Sequence, residues 1–117
     1  MSLNFERLTV WQRSLDFADA MFELADNLPK RHQFSLGEKV RRAAPPIPTN
    51  IAEGCGRDGL KERAYFYSVA KGSVYEVISL LAMVGKRGHL GHADYQHYHQ
   101  EADKLAAMLR RLVKSTR

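Results

Sequence analysis

Histidine and cysteine have the widest chemical range of any side chains in this chain. Four of its five histidines, His89, His92, His97 and His99, fall within eleven residues, close to Asp94 and Glu101. A helical zinc site needs ligands three or four residues apart on one face. Asp94 and His97 have that spacing, but His97 and His99 point to different faces, and neither His-Glu-x-x-His nor Glu-x-x-His occurs. The pattern reads as loop and surface histidines, with no metal and no cofactor implied. Cys55 is the single cysteine, which excludes an intrachain disulfide and a cysteine-based zinc cage. It lies between Gly54 and Gly56 at the expected end of a helix, where the dipole disfavours a thiolate. The run Gly54-Cys55-Gly56-Arg57-Asp58-Gly59 lacks the lysine and the following helix pattern of a phosphate cradle. The expectation is a protein without an enzymatic site.

Charge is the stronger signal. Eighteen Lys and Arg against thirteen Asp and Glu give a net charge of +5, and the excess is uneven. Residues 1–28 carry −3, leaving +8 on the other 89. Such a basic surface attracts nucleic acid, an acidic protein or an anionic membrane. The longest uncharged stretches, Ala43–Ala52 and Val77–Gly85, are ten and nine residues long, well short of the roughly 20 needed to span a bilayer. The N-terminus lacks a basic region followed by an apolar one, so a cytoplasmic location without a membrane partner is expected. At 117 residues the chain suffices for one domain, residues 1–117.

Hydrophobic spacing defines the elements that must carry these groups. From Thr9 to Leu28, Trp11, Leu15, Ala18, Phe22 and Ala25 recur at helical steps, widened by Val10, Phe17, Met21, Leu24 and Leu28. Pro29 stops this helix, and Pro29–Phe34 reads as a polar connection. Ser35 and Glu38 have the spacing of a capping box for a second helix. Pro45, Pro46 and Pro48 then remove amide donors, so that helix should kink or break near Pro45–Pro48. Gly54 and Gly56 are expected to end it in the left-handed conformation.

A third helix from Asp58 to Lys86 carries Phe66, Ala70, Ser73, Val77, Leu80 and Val84 on one stripe. Gly72 inside it costs about 1 kcal/mol against alanine, which a close helix–helix approach there would justify. The fourth, His92 to Lys114, has a heptad seam of Tyr95, Tyr98, Ala102, Leu105, Leu109 and Leu112. No stretch alternates as a strand does. The expected fold is all-α, an antiparallel up-down four-helix bundle with Trp11, Phe22, Phe66, Val77, Leu81, Leu105 and Leu109 in its core.

That topology gathers the cations at two ends. Lys30, Arg31 and His32 should meet Lys86, Arg87, His89 and His92 at one end. Arg57, Lys61 and Arg63 should meet Arg110, Arg111, Lys114 and Arg117 at the other. Lys39, Arg41 and Arg42 on the second helix would bridge them, a path suited to a phosphate backbone. Lysine and arginine at helix C-termini also serve the dipole, which accounts for Lys86, Arg87 and the C-terminal tail but not for Arg41, Arg42 or Arg57.

The run from Val40 to Arg57, VRRAAPPIPTNIAEGCGR, resembles the signature of one family. It is similar to the four-helix-bundle proteins encoded by intervening sequences of bacterial large-subunit ribosomal RNA genes, the S23 ribosomal protein family. Their hallmark is Arg-Arg-Ala, then Ser-Ile-Pro-Ser-Asn-Ile-Ala-Glu-Gly, then Gly-Arg. Phe5 to Gln12 resembles the family's opening, and Ala70-Lys71-Gly72-Ser73 with Glu76 resembles its third-helix pattern. The likeness covers nearly the whole chain. Pro46 stands where the family usually has serine, Pro45 where it has a helix-compatible residue, and Lys39 where glutamine is common.

The resemblance implies no catalytic activity. It implies a fold shared with the accessory proteins of diversity-generating retroelements, which form basic pentamers and bind nucleic acid and a reverse transcriptase. A homopentamer in contact with RNA or DNA, with a protein partner such as a reverse transcriptase, is the resulting expectation. Independently, the first and third helices carry more apolar residues than one face of a small monomer buries. The residues expected to touch nucleic acid are Lys39, Arg41, Arg42, Arg57, Lys61, Arg63, Lys86, Arg87, Arg110 and Arg111. The motif residues Asn50, Ile51, Ala52, Glu53 and Gly54 are expected to be structural, Asn50 and Glu53 by bonding backbone left free by the prolines. The competing expectation is a protein-docking scaffold that never meets nucleic acid.

Overall fold

A computed structural model describes residues 4–116. After a 3₁₀ turn at Asn4–Arg7 come α1 (Thr9–Asp26), a 3₁₀ turn (Lys30–His32) and a π-helical turn (Gln33–Gly37). These lead into α2 (Glu38–Ala43), α3 (Pro46–Cys55), α4 (Leu60–Lys86) and α5 (His92–Ser115). No strand occurs among the described residues. The pair α2–α3 acts as one broken arm, so the chain is an all-α four-helix bundle, as the apolar periodicity requires. A helix of 27 residues is about 40 Å long at 1.5 Å per residue, which sets the 44 Å long axis of the molecule. The α2–α3 arm and α5 each pack on both α1 and α4, leaving α1 and α4 on a diagonal.

The second arm breaks at Ala44–Pro45. Pro45, Pro46 and Pro48 have no amide hydrogen, so the carbonyls of Arg41, Arg42 and Ala44 lose their α-helical donors. The Ala44 carbonyl recovers one from the Ile47 amide at 3.1 Å, a tightened turn. Pro46 opens α3, where a missing donor costs nothing. The start of this arm departs from the capping-box reading. Ser35 sits inside the π-helical turn and donates to the His32 carbonyl, and Gly37, without a side-chain cap, precedes α2.

The core forms from Met21, Val40, Ile47, Ile51, Val74, Val77, Leu81, Leu105 and Leu109, all essentially sealed from solvent. Burying each such side chain is worth about 1.5–3 kcal/mol. Val77, Leu81, Leu105 and Leu109 lie where the periodicity put them, and Tyr95, Tyr98 and Leu112 pack against the same core. Three expected core residues do not. Trp11 and Phe66 are half-buried, and Phe22 is 37% exposed with Leu15 at 47%. The buried face of α1 is turned by one position, onto Val10, Ser14, Phe17, Ala18, Met21 and Ala25. Ser14 tolerates burial because its hydroxyl donates to the Trp11 carbonyl at 2.7 Å.

The glycines also differ from expectation. Gly72 is exposed, and a Cβ there would meet nothing within 4 Å. The close helix approach is at Gly54 instead, where a Cβ would lie 2.8 Å from Tyr67 Cε1 and 3.1 Å from Phe66 Cβ. Gly56 follows α3 at φ −84°, so neither Gly54 nor Gly56 is left-handed. Gly88 is, at φ 82°, and it ends α4 with the Gly88 and His89 amides donating to the Gly85 and Val84 carbonyls. Among the described helices α4 alone is long and apolar enough to cross a membrane, and here its apolar stripe is packed inside the bundle.

Candidate nucleic-acid interface

Both connections at one end of the bundle carry cations, and they touch. Arg31 Nη2 lies 3.5 Å from His89 Nε2, and the His32 and His89 rings meet at a 57° tilt with centroids 5.0 Å apart. Lys86 closes α4, and Arg87 follows it. Partial burial pushes the His32 pKa below the ordinary histidine value, and the charges of Arg31, His89 and Arg87 add to that. Among the described residues no carboxylate lies within ion-pair distance of Lys30, Arg31, Lys86 or Arg87.

The second arm is differently occupied. Arg41 donates to Asp26 Oδ1 at 2.8 Å, to the Gln33 carbonyl at 3.3 Å and to the Gln33 side-chain oxygen. Gln33 in turn donates to the Ala25 and Leu28 carbonyls, at 2.9 and 2.7 Å. This network ties the end of α1, the π-helical turn and α2 together, so Arg41 is a structural cation. Arg42 pairs with Glu38 at 2.9 Å, one turn back on the same helix, with a side chain 80% exposed against 26% for Arg41. Lys39 is exposed. The two arginines therefore face different surroundings.

At the opposite end, Arg57 sits 3.0 Å from Glu53 and 3.9 Å from Glu62, with its guanidinium 4.8 Å from the Phe66 ring centroid. Such an exposed cation–π contact is worth about 0.5–1 kcal/mol. Arg63 Nε donates to the Arg57 carbonyl at 2.6 Å, and Arg110 donates to the Tyr75 hydroxyl at 3.2 Å. Arg111 flanks a groove with Leu8, Met108 and Leu112. Lys61 and Lys114 are exposed, and Arg117 lies outside the described residues. Cations are as numerous here, but Arg57 is already compensated by carboxylates.

The motif residues point inward or along their own helix. Ile51 is sealed in the core, Gly54 admits Tyr67, and Ala52 is half-buried. Asn50 Nδ2 donates to the Pro46 carbonyl at 2.7 Å, and Thr49 to that of Pro45 at 3.0 Å. These are not the carbonyls the prolines strip of donors, which corrects that part of the expectation. Glu53 bonds no backbone and holds Arg57 instead. Gln33 and Asp26 are the residues that sequence reasoning missed, since a loop glutamine and a helix-end aspartate carry no spacing signal.

The histidine-rich stretch does not converge. Among the described residues no group of three His, Cys, Asp or Glu side chains could hold a metal ion. His99 Nδ1 lies 3.3 Å from Asp103, while His97 lines a separate groove with Arg13, Asp16 and Tyr98.

A broken-arm helical bundle with cationic ends and an Asn-Ile-Ala-Glu-Gly motif that buries its Ile51 and Gly54 defines the class of protein. The model of the 23S rRNA-intervening sequence protein family matches residues 6–111, and the chain belongs to that family. Its fold is similar to a crystal structure of a protein with unknown function from the S23 ribosomal protein family of Bacteroides thetaiotaomicron VPI-5482. The TM-score is 0.81 at 16% identity, over 91% of this chain and 99% of that one. No curated protein sequence matches this chain.

Proposed function

We propose that this protein is a non-catalytic, self-associating nucleic-acid-binding protein that holds RNA or DNA electrostatically and without sequence preference. The observation that carries the reading is the cluster of Lys30, Arg31, Lys86 and Arg87 at one end, beside His32 and His89, with no carboxylate partner among the described residues. Cations already neutralised within the chain gain little from a phosphate, whereas uncompensated ones release counterions on binding. The family's link to ribosomal RNA genes supports the same class of partner. Lys39, Arg42, Lys61, Arg63, Arg110 and Arg111 extend the basic surface beyond that cluster, and Arg57 and Arg41 contribute less because Glu53 and Asp26 hold them.

Self-association has its own support. Leu15 and Phe22 on α1 and Leu60, Tyr65, Tyr75 and Met83 on α4 are exposed, on diagonal helices. A ring, for which the family resemblance implies five subunits, would cover both faces and repeat each basic end, adding weak contacts as avidity. A retroelement-type partner such as a reverse transcriptase would then meet the same assembly.

The test is fluorescence anisotropy with unrelated RNA and DNA oligonucleotides across a salt series. Affinity should fall linearly on a log–log scale, equally for all sequences, and Lys86→Gln with Arg87→Gln should flatten the slope. Salt-insensitive binding, or none at about 50 mM salt, overturns the reading in favour of a protein-docking scaffold.

A further inference from the structure

Between the π-helical turn and the C-terminal end of α4 lies a cleft of about 480 Å³, lined by His32, Ser35, Leu36, Met83, Lys86 and Arg87. We propose that this cleft is a phosphate site, which takes the phosphate of a nucleotide between Lys86, Arg87 and His32. This refines the nucleic-acid reading and rests on it for the nature of the ligand.

The argument is one of charge and shape. Lys86 and Arg87 line the cleft from the end of α4 and His32 from the opposite wall, so donors face one volume from two sides. Arg31 stands behind them through His89, whose ring lies tilted against that of His32. The end of α4 brings a negative partial charge of about half an elementary charge, which the full charges of Arg31, Lys86 and Arg87 outweigh. The last carbonyls of α4 are also occupied by the Arg87, Gly88 and His89 amides. The fixed charges acting on His32, those of Arg31 and Arg87, are both cationic. Like charges packed this closely repel, and an anion between them relieves the repulsion. Leu36 and the half-exposed Met83 add apolar lining on which a sugar or base can rest.

Occupancy must then be coupled to protons. Without an anion, partial burial and then the neighbouring cations favour neutral His32. A phosphate among them favours the imidazolium, so binding takes up a proton and tightens as the pH falls through the histidine range.

The experiment follows the five histidine ring signals by NMR in a pH titration of the full chain, with inorganic phosphate or chloride at equal ionic strength. Phosphate should raise the pKa of His32 and shift the ring signals of His32 and His89, and leave the signals of His97 and His99 in place. Arg87→Gln with Lys86→Gln, both exposed positions, should weaken phosphate binding by about tenfold, the scale of a lost charge-assisted hydrogen bond. Arg110→Gln at the opposite end should not. Unmoved His32 and His89 signals, or an unchanged response in the double variant, overturn the site even where oligonucleotides bind. If phosphate moves those signals while oligonucleotides fail to bind, the site stands and the nucleic-acid reading falls. A preference for 5′-phosphorylated over 5′-hydroxyl oligonucleotides assigns the site to a strand end, and equal affinity assigns it to internal phosphates.

Discussion

Gly54 and Tyr67 are so close that a single methyl group at position 54 would stand 2.8 Å from Tyr67 Cε1 and 3.0 Å from Cδ1. Tyr67 is itself buried, and Phe66 Cβ would lie 3.1 Å from the same methyl, so accommodating it requires the ring or a helix to shift. This is where the glycine of the Asn-Ile-Ala-Glu-Gly turn acts: it sets the separation of α3 from α4. Gly54→Ala should destabilise the fold by about 1–3 kcal/mol, the usual cost of overpacking. Gly72→Ala, at a site with open space around it, should stabilise by about 0.4–1 kcal/mol. Urea denaturation of the two variants measures the difference.

The contrast between those glycines shows what the sequence made readable. Residue type alone marked both as unusual for a helix, and only packing distinguishes them. The α5 seam was legible because Tyr95, Tyr98, Ala102, Leu105, Leu109 and Leu112 keep steps of three and four while Gln96, Glu101, Asp103, Lys104, Arg110 and Arg111 fall off that line. On α1 two apolar stripes run side by side, Trp11-Leu15-Ala18-Phe22 and Val10-Phe17-Met21, and the buried one contains Ser14. Periodicity favoured the stripe without a serine, because the hydroxyl's local bond to Trp11 leaves no trace in spacing. The cationic end was legible from topology, since up-down connections must share it. The Arg41–Asp26–Gln33 network was not, because it depends on a π-helical turn that no residue pattern signals.

Arg41 and Arg42 therefore separate in their effects. Removing Arg41 leaves Asp26 and the Gln33 oxygens without their donor, and Arg41→Ala should cost about 1–3 kcal/mol, as for hydrogen bonds to a charged group. Arg42→Ala loses only an exposed pair with Glu38 and should fall within about 0.5 kcal/mol of the parent. Thermal denaturation at matched salt ranks them. A loss of nucleic-acid binding in Arg42→Ala reports on contact, whereas the same loss in Arg41→Ala reports on the fold.

His32 gives stability a pH dependence of definite sign. Its pKa in the folded chain is lowered, by partial burial first and then by Arg31, His89 and Arg87. The unfolded chain therefore takes up this proton more readily, and folding stability falls as the pH drops through the ordinary histidine value of 6.5. The loss stops growing once the pH lies below the lowered folded value. In chloride buffer His32→Gln should lose less melting temperature on acidification than the parent. Saturating phosphate should shrink or reverse the parent's slope, because the bound anion favours the protonated ring.

Leu15 and Phe22 remain, two large apolar side chains on a helix whose other outward residues include Asp16, Asp19 and Glu23. With Ala18, Pro45 and Pro48 they line a groove of about 500 Å³ between α1 and the start of α3. An apolar groove with an acidic rim is a poor surface for a phosphate backbone and a good one for a basic, apolar face of another copy. Lys71, Arg110 and Tyr75 on the α4–α5 side offer such a face. Leu15→Glu with Phe22→Glu should keep the helical fold at a cost of about 0.5–3 kcal/mol, since the two side chains are 47% and 37% exposed and lose only part of their packing. The same pair should reduce the sedimenting species to the 13.3 kDa chain. Affinity for oligonucleotides should fall with the lost avidity while the salt slope per chain is retained. An assembly that survives both glutamates places its contacts elsewhere, and the exposed α4 row of Tyr65, Tyr75 and Met83 becomes the next face to charge.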